Sequence, residues 1–161
     1  MLSLKPLAAT MDCAGVKPLV PRELLALSTA KAPWTSYIAF NGGGAAVGAC
    51  AFKNAPDKKK EVEIAYLTFP GHARRGHGTA MARALINIAA GSGAVDHVVA
   101  QTLPGLNASV RICRRLGFAF AGEVIDPHDG KVWRWRKPTG RTLRVLGRSS
   151  RHRKPGGSEP I

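Results

Sequence analysis

Apolar and polar positions along this chain fall into short stretches with a period of two and longer ones with a helical period, separated by glycine and proline. Ser36–Phe40 reads as a strand, Asn41-Gly-Gly-Gly44 as a hairpin turn, and residues 45–53 as the returning strand. A charged turn over residues 56–61 leads to a third strand over 62–69. In that strand Glu63, Ala65, Leu67 and Phe69 share one face, and Val62, Ile64, Tyr66 and Thr68 share the other. Both faces are mostly apolar, which predicts a central strand covered on two sides. Beyond Pro70-Gly71, the positions Met81, Ala84, Leu85, Ile88 and Ala89 form one stripe of an amphipathic helix that Gly91-Ser-Gly93 ends. Residues 96–102 predict a further strand, and Pro104-Gly105 breaks it. A second helix follows through Val110, Cys113 and Leu116, with Asn107 or Ser109 as its N-cap and Gly117 as its C-terminal cap. Residues 118–124, the turn 126–130 and residues 132–136 close the pattern as a hairpin, with Trp133 and Trp135 on one face of its last strand.

The order is β-β-β-α-β-α-β-β, which predicts an α/β (α+β) domain: a mixed, mostly antiparallel sheet flanked by helices. Residues 1–20 show no periodicity and are expected to be an irregular lead-in, except that a short helix is expected just after them over 21–27. The folded domain is expected over 21–137, and residues 138–161 read as a disordered basic tail. A length of 161 residues suits one domain with its own core.

Charge changes the picture at one end. The chain has 24 Lys and Arg against 10 Asp and Glu, a net +14. Residues 131–161 hold ten Lys or Arg and one acid, Glu159, so this end alone carries +9. Such a segment suits weak contact with RNA or the ribosome. It lacks interleaved aromatics, so base stacking is not indicated. No apolar run is long enough for a membrane span, and the first ten residues lack the apolar core of a signal peptide. Cys13, Cys50 and Cys113 are odd in number and lack metal-ligand spacing, so reduced thiols, no bound metal and a cytoplasmic setting are expected.

The candidate chemistry lies between the third strand and the first long helix, in the turn His72-Ala-Arg-Arg-Gly-His-Gly-Thr79. N–H groups at a helix start are unpaired and lie in positive potential, and glycines let an anion approach them closely. Arg74, Arg75, Gly76, His77, Gly78 and Thr79 therefore read as a pyrophosphate cradle; a tight turn with solvated arginines would look the same in sequence. A P-loop is excluded because no Gly-x4-Gly-Lys-Ser/Thr occurs, and a dinucleotide fingerprint because position 81 is Met. His72, His77 and His128 lie in turns, where solvation is the default, and Trp34, Trp133 and Trp135 suit core or groove walls.

Glu63-Ile-Ala-Tyr66, the Arg-Arg-Gly-His-Gly turn with its helix, Asn107-Ala-Ser109 and Arg115-Leu-Gly-Phe118 follow one another as they do in the GNAT superfamily of N-acetyltransferases. The chain resembles that family over roughly residues 20–137. The closing Asp126-Pro-His-Asp-Gly-Lys-Val-Trp-Arg-Trp135 is similar to the branch of the ribosomal-protein N-terminal acetyltransferases. The resemblance implies acetyl-CoA as cosubstrate, with its pyrophosphate on the Arg74–Thr79 turn, its pantetheine beside Leu67 to Phe69, and Asn107 across the cleft. It also implies a backbone N–H near Leu67 that polarises the acetyl carbonyl. Two departures stand out. Ala73 occupies a place usually held by Gln or Arg, and Cys113 occupies the place of a tyrosine that serves as general acid in many members.

Acetyl transfer to an amine by direct attack in a ternary complex needs a base, since a protonated amine cannot attack a thioester. Glu63, a carboxylate on an otherwise apolar strand face, is the candidate; it can equally form an ion pair at a strand edge. Glu61 is placed in the turn. Ser109 or Cys113 can serve the leaving thiolate, and Ser109 can equally be a plain helix cap. The competing function is a non-catalytic acyl-CoA-binding module, or a nucleic-acid- or ribosome-binding module that works through the basic tail. The amine acceptor stays open.

Overall fold

The computed structural model describes residues 1–10 and 15–140. Its elements run β1 (Ser3–Pro6), α1 (Leu7–Thr10), α2 (Arg22–Ala26), β2 (Ser36–Phe40), β3 (Ala46–Phe52), β4 (Glu61–Thr68), α3 (His77–Gly91), β5 (His97–Thr102), α4 (Ala108–Arg115), β6 (Ala119–Asp126) and β7 (Gly130–Pro138). The strands form one seven-stranded sheet in the order β1-β2-β3-β4-β5-β7-β6. Only β4 and β5 are parallel; every other neighbouring pair is antiparallel. The expected mixed, mostly antiparallel sheet with flanking helices is therefore what forms.

Alternation along the central strands gives the sheet two covered faces. On one, Cys50, Phe52, Val62, Ile64, Val98, Ala100 and Trp135 pack against α3 and α4. The buried residues of α3 are Met81, Ala82, Leu85, Ile86 and Ala89. The stripe is thus rotated from the expected one: Ala82 and Ile86 replace Ala84 and Ile88, because α3 packs against both β3 and β4. On the other face Ile38, Ala49, Ala51 and Phe69 meet Leu7, Val16, Val20 and Leu24. Ala49 and Ala51 leave room there for the N-terminal segment to approach the sheet.

That packing corrects the expectation of an irregular lead-in. Residues 3–6 add an edge strand, with Ser3 opposite Phe40 and Pro6 opposite Tyr37, and Leu7 is 1% exposed. A four-residue strand containing proline carries too little periodicity to stand out in the sequence. The C-terminal boundary also moves. Strand β7 continues to Pro138, and the Thr139 hydroxyl donates to the carbonyl of Val95 at 2.7 Å. The rest of the basic tail, residues 141–161, lies outside the described residues.

Capping places α4. Asn107, not Ser109, is its N-cap, and its Oδ1 accepts from the Val110 N–H at 2.9 Å. At the other end Gly117 has φ +82°, and the N–H of Phe118 returns to the carbonyl of Cys113 at 3.0 Å. This is a Schellman closure that only glycine adopts cheaply. A buried bond from Trp135 Nε1 to Thr102 Oγ1, 3.0 Å, ties β7 to β5.

Strands β4 and β5 pair only from Glu61 opposite His97 to Ile64 opposite Ala100. Beyond that point β4 continues to Thr68 beside β3, while β5 stays with β7. The sheet therefore opens along its middle. Gly48 supports the outer side of the opening: a Cβ there would run into the Leu67 carbonyl and come within 2.8 Å of Met81 Cε. Overpacking of this kind costs about 1–3 kcal/mol. The Gly48→Ala variant is expected to lose about 2 kcal/mol in urea denaturation followed by circular dichroism; an unchanged midpoint would show that β3 and β4 can move apart freely.

Candidate functional site

Two cavities meet where β4 and β5 part. The larger, about 590 Å³, runs from Tyr66, Leu67 and Thr68 on β4 to the start of α3 (Ala73, Arg74, Gly76–Thr79) and to one face of α4. The smaller, about 260 Å³, lies on the side of the N-terminal segment and is lined by Glu23, Lys53, Glu63, Gln101, Ser109 and Asp129, among others. Tyr66 and Ser109 line both, so they mark the junction.

The larger cavity is built to receive an anion. Gly76 precedes α3 at φ +79° and offers no side-chain cap, so the first N–H groups of this 15-residue helix remain available. Arg74, itself in the left-handed region at φ +63°, carries charge into the turn. At Gly78 a Cβ would lie 3.0 Å from Ile112 Cδ1, so a larger residue would close the passage between α3 and α4. Arg111 and Arg115 add two cations from α4. A bare helix start, glycines at the points of closest approach and converging guanidiniums fit a pyrophosphate such as that of coenzyme A.

Strand β4 contributes backbone. The Phe69 N–H donates to the Val47 carbonyl at 2.8 Å, and the Glu63 carbonyl accepts from the Lys53 N–H at 2.8 Å. Odd-numbered residues thus spend their peptide groups on β3, and the alternation of an antiparallel ladder turns those of Tyr66 and Thr68 toward the opening. The free amides flank Leu67 rather than belonging to it.

The structure sorts the candidate residues. Leu67, Arg74, Gly76, His77, Gly78, Thr79 and Ser109 line the larger cavity together. Arg75 is exposed in the same turn but is not part of the lining, and Phe69 is 2% exposed within the second core. Asn107 spends its side chain on the helix cap and on a 2.8 Å bond from Nδ2 to the Leu103 carbonyl, so it does not reach into the cavity. Sequence reasoning missed Arg111 and Arg115, although their four-residue spacing on α4, with Ala108 and Ile112 beside them, was the available signal. It also missed Tyr66, which its strand face alone marked as core.

Glu63 lies in the smaller cavity with its Oε2 3.9 Å from Lys53 Nζ, and its Oε1 is buried without a partner. Lys53 is closer to Glu23, at 3.1 Å. Burial pushes the Glu63 carboxyl above the ordinary carboxylate range, against the pull of Lys53 and Arg134. Glu61 is not in the turn, as expected from sequence, but begins β4. It is 5% exposed and holds Arg136 at 3.2 Å and Arg134 at 3.5 Å, so it is committed to joining β4 to β7.

Residues 14–119 match the model of the family described as acetyltransferase (GNAT) domain. The chain belongs to the GNAT acetyltransferase family. None of the curated proteins compared matches it in sequence. Among solved structures, an aminoglycoside acetyltransferase in complex with coenzyme A aligns at 21% identity over 70% of this chain and 70% of that one, with a TM-score of 0.60. The ribosomal L7/L12 α-N-protein acetyltransferase RimL, with coenzyme A, aligns at 18% over 64% and 60%, with a TM-score of 0.58. The spermidine/spermine N-acetyltransferase SpeG from Vibrio cholerae aligns at 10% over 68% and 69%, also with a TM-score of 0.58. The chain thus spans about two thirds of the length of these structures, and the likeness is one of fold.

For this GNAT acetyltransferase the α4 arginines provide a direct check of the anion site. Both are exposed, so each contributes about 0.5 kcal/mol. The Arg111→Ala/Arg115→Ala variant is expected to bind coenzyme A about fivefold more weakly at low salt, with the difference shrinking as salt rises. Equal affinities in titration calorimetry at low salt would remove α4 from the site.

Proposed function

We propose that this protein transfers the acetyl group of acetyl-CoA to a primary amine by direct attack in a ternary complex. The observation that carries this reading is the meeting of two cavities at Tyr66 and Ser109, one suited to a pyrophosphate and one holding a partly buried carboxylate. Acetyl-CoA supplies an acetyl group activated as a thioester. The start of α3 and the arginines of α4 hold the phosphates, and the open edge of β4 aligns the pantetheine arm like an added strand. The Tyr66 or Thr68 N–H polarises the acetyl carbonyl.

Glu63 serves as the base. Its unpartnered Oε1 is free to accept a proton from the incoming ammonium, directly or through water, while Oε2 keeps a long contact with Lys53. A carboxyl with a raised pKa is a stronger base than an exposed one. Since the base must be ionised, activity falls as pH drops through that raised pKa, so the acid limb lies above the ordinary carboxylate range.

The acceptor side opposes the charge of the whole chain. With a net charge of +14, the protein still gathers Glu23, Glu63 and Asp129 against one Lys53 in the smaller cavity. This supports acceptors that carry a further positive charge besides the reacting amine. Release of free coenzyme A would be measured with a polyamine, an aminoglycoside and peptides with free N-termini as acceptors. The Glu63→Gln variant is expected to lose about 100-fold in kcat/KM and to lose the acid limb of the pH profile. The base assignment fails if the variant keeps the wild-type profile.

A further inference from the structure

Strand register makes Lys53 the natural partner of Glu63. Phe52 lies opposite Ile64, so the next step along the β3–β4 ladder sets Lys53 against Glu63, and the Lys53 N–H donates to the Glu63 carbonyl at 2.8 Å. Side chains directly opposed in an antiparallel pair lie within reach of each other, and opposite charges there ordinarily pair. Here the ammonium turns elsewhere. Lys53 Nζ is 3.1 Å from Glu23 Oε1 but 3.9 Å from Glu63 Oε2, beyond hydrogen-bond length. Glu63 Oε1 is buried with no hydrogen-bond partner. Glu23 is seated for this by its neighbour: Leu24, 3% exposed, anchors α2 in the second core and leaves Glu23 lining the smaller cavity. The other cation facing Glu63 is diverted in the same way, since Arg134 of β7 lies 3.5 Å from Glu61. The remaining charges around Glu63 are acidic: Asp126 at the end of β6, Asp129 in the turn after it, and Asp57 and Glu61 in the adjoining cavity.

Resting on the acetyl-transfer reading, we infer that Glu23 is a positioning residue for the base: by holding the Lys53 ammonium, it leaves Glu63 free to take the proton of the acceptor. A carboxylate hydrogen-bonded by an ammonium is stabilised in its charged form, which makes it a weaker base. Lys53 stands directly across the ladder from Glu63 and closes that pair once Glu23 no longer holds it. Closing it pulls the Glu63 carboxyl down toward the ordinary carboxylate range, and losing the negative charge of Glu23 acts in the same direction. A base with a lower pKa stays ionised to lower pH, so the acid limb of the activity profile moves down, while each ionised enzyme transfers more slowly. The Glu23 side chain is 59% exposed, so its pair with Lys53 adds little to the stability of the fold.

Two measurements on the Glu23→Gln variant test this. The first needs no acceptor and no turnover: the Glu63 carboxyl carbon, labelled with carbon-13 and identified by its absence from Glu63→Gln, is titrated by NMR. It is expected to titrate about one pKa unit lower in Glu23→Gln than in wild type. In a Lys53→Met background the same substitution should move it by less than about 0.3 unit, since Glu23 acts through Lys53. No shift, or an equal shift with Lys53 replaced, would overturn the inference. The second measurement is the pH profile of coenzyme A release. The acid limb should move down by the same amount and the plateau fall about threefold, so that the two profiles cross and the variant is the faster enzyme on the acid side. A profile lowered equally at every pH would make Glu23 a merely structural residue. If the carboxyl shifts as expected but wild type acetylates no amine offered, the acetyl-transfer reading fails and the hold of Glu23 on Lys53 stands. Thermal unfolding of the variant near the wild-type temperature shows that the fold is intact.

Discussion

Parallel pairing between β4 and β5 lasts for only four residue pairs, and the rest of the molecule is organised around where it stops. A backbone that leaves its ladder must satisfy its N–H and C=O groups elsewhere, or leave them for water or a ligand. Here one side of β4 stays bonded to β3 and one side of β5 stays bonded to β7, so the gap opens without either strand losing its support. The helices on one face and the N-terminal segment on the other turn the gap into two cavities with a common floor. A rigid sheet thus sets two cavities end to end, the arrangement that the proposed direct transfer needs.

Electrostatics give the two ends opposite characters. The α3 start and the α4 arginines make one end positive, while carboxylates from α2, β4 and the β6–β7 turn make the other more acidic than the chain as a whole. Glu61 shows why its neighbour is the one available for chemistry. Two residues earlier on the same strand, it is held by two arginines, whereas Glu63 keeps one oxygen without a partner. Lys53 is drawn toward Glu23, which keeps its grip on Glu63 loose.

Much of this was legible in the sequence because local rules carried it. Period-two alternation marked β2, β3 and β4, and the glycine–arginine turn marked the start of α3. Gly117-Phe118 marked the end of α4. What escaped notice depended on partners far away in the chain. The four residues of β1 become a strand only because β2 offers an edge. Glu61 reads as part of a turn until Arg134 and Arg136 reach it from residues 70 and more further on. Asn107 suits two descriptions, helix cap and cofactor contact; the cap takes its Oδ1 and the Leu103 carbonyl takes its Nδ2. Tyr66 shares its strand face with Val62 and Ile64, and only the approach of α4 puts it at the junction of the two cavities.

The claim on which everything else rests is that the open edge of β4 receives a ligand's backbone-like arm. Amide hydrogen exchange, resolved by residue with and without saturating coenzyme A, reads this edge. Slowed exchange at the amides of Tyr66 and Thr68, together with those of His77, Gly78 and Thr79, is the expected result. Protection at the helix start with no change at Tyr66 and Thr68 would contradict it, since the ligand would then be held by its phosphates alone and the gap between the strands would play no part.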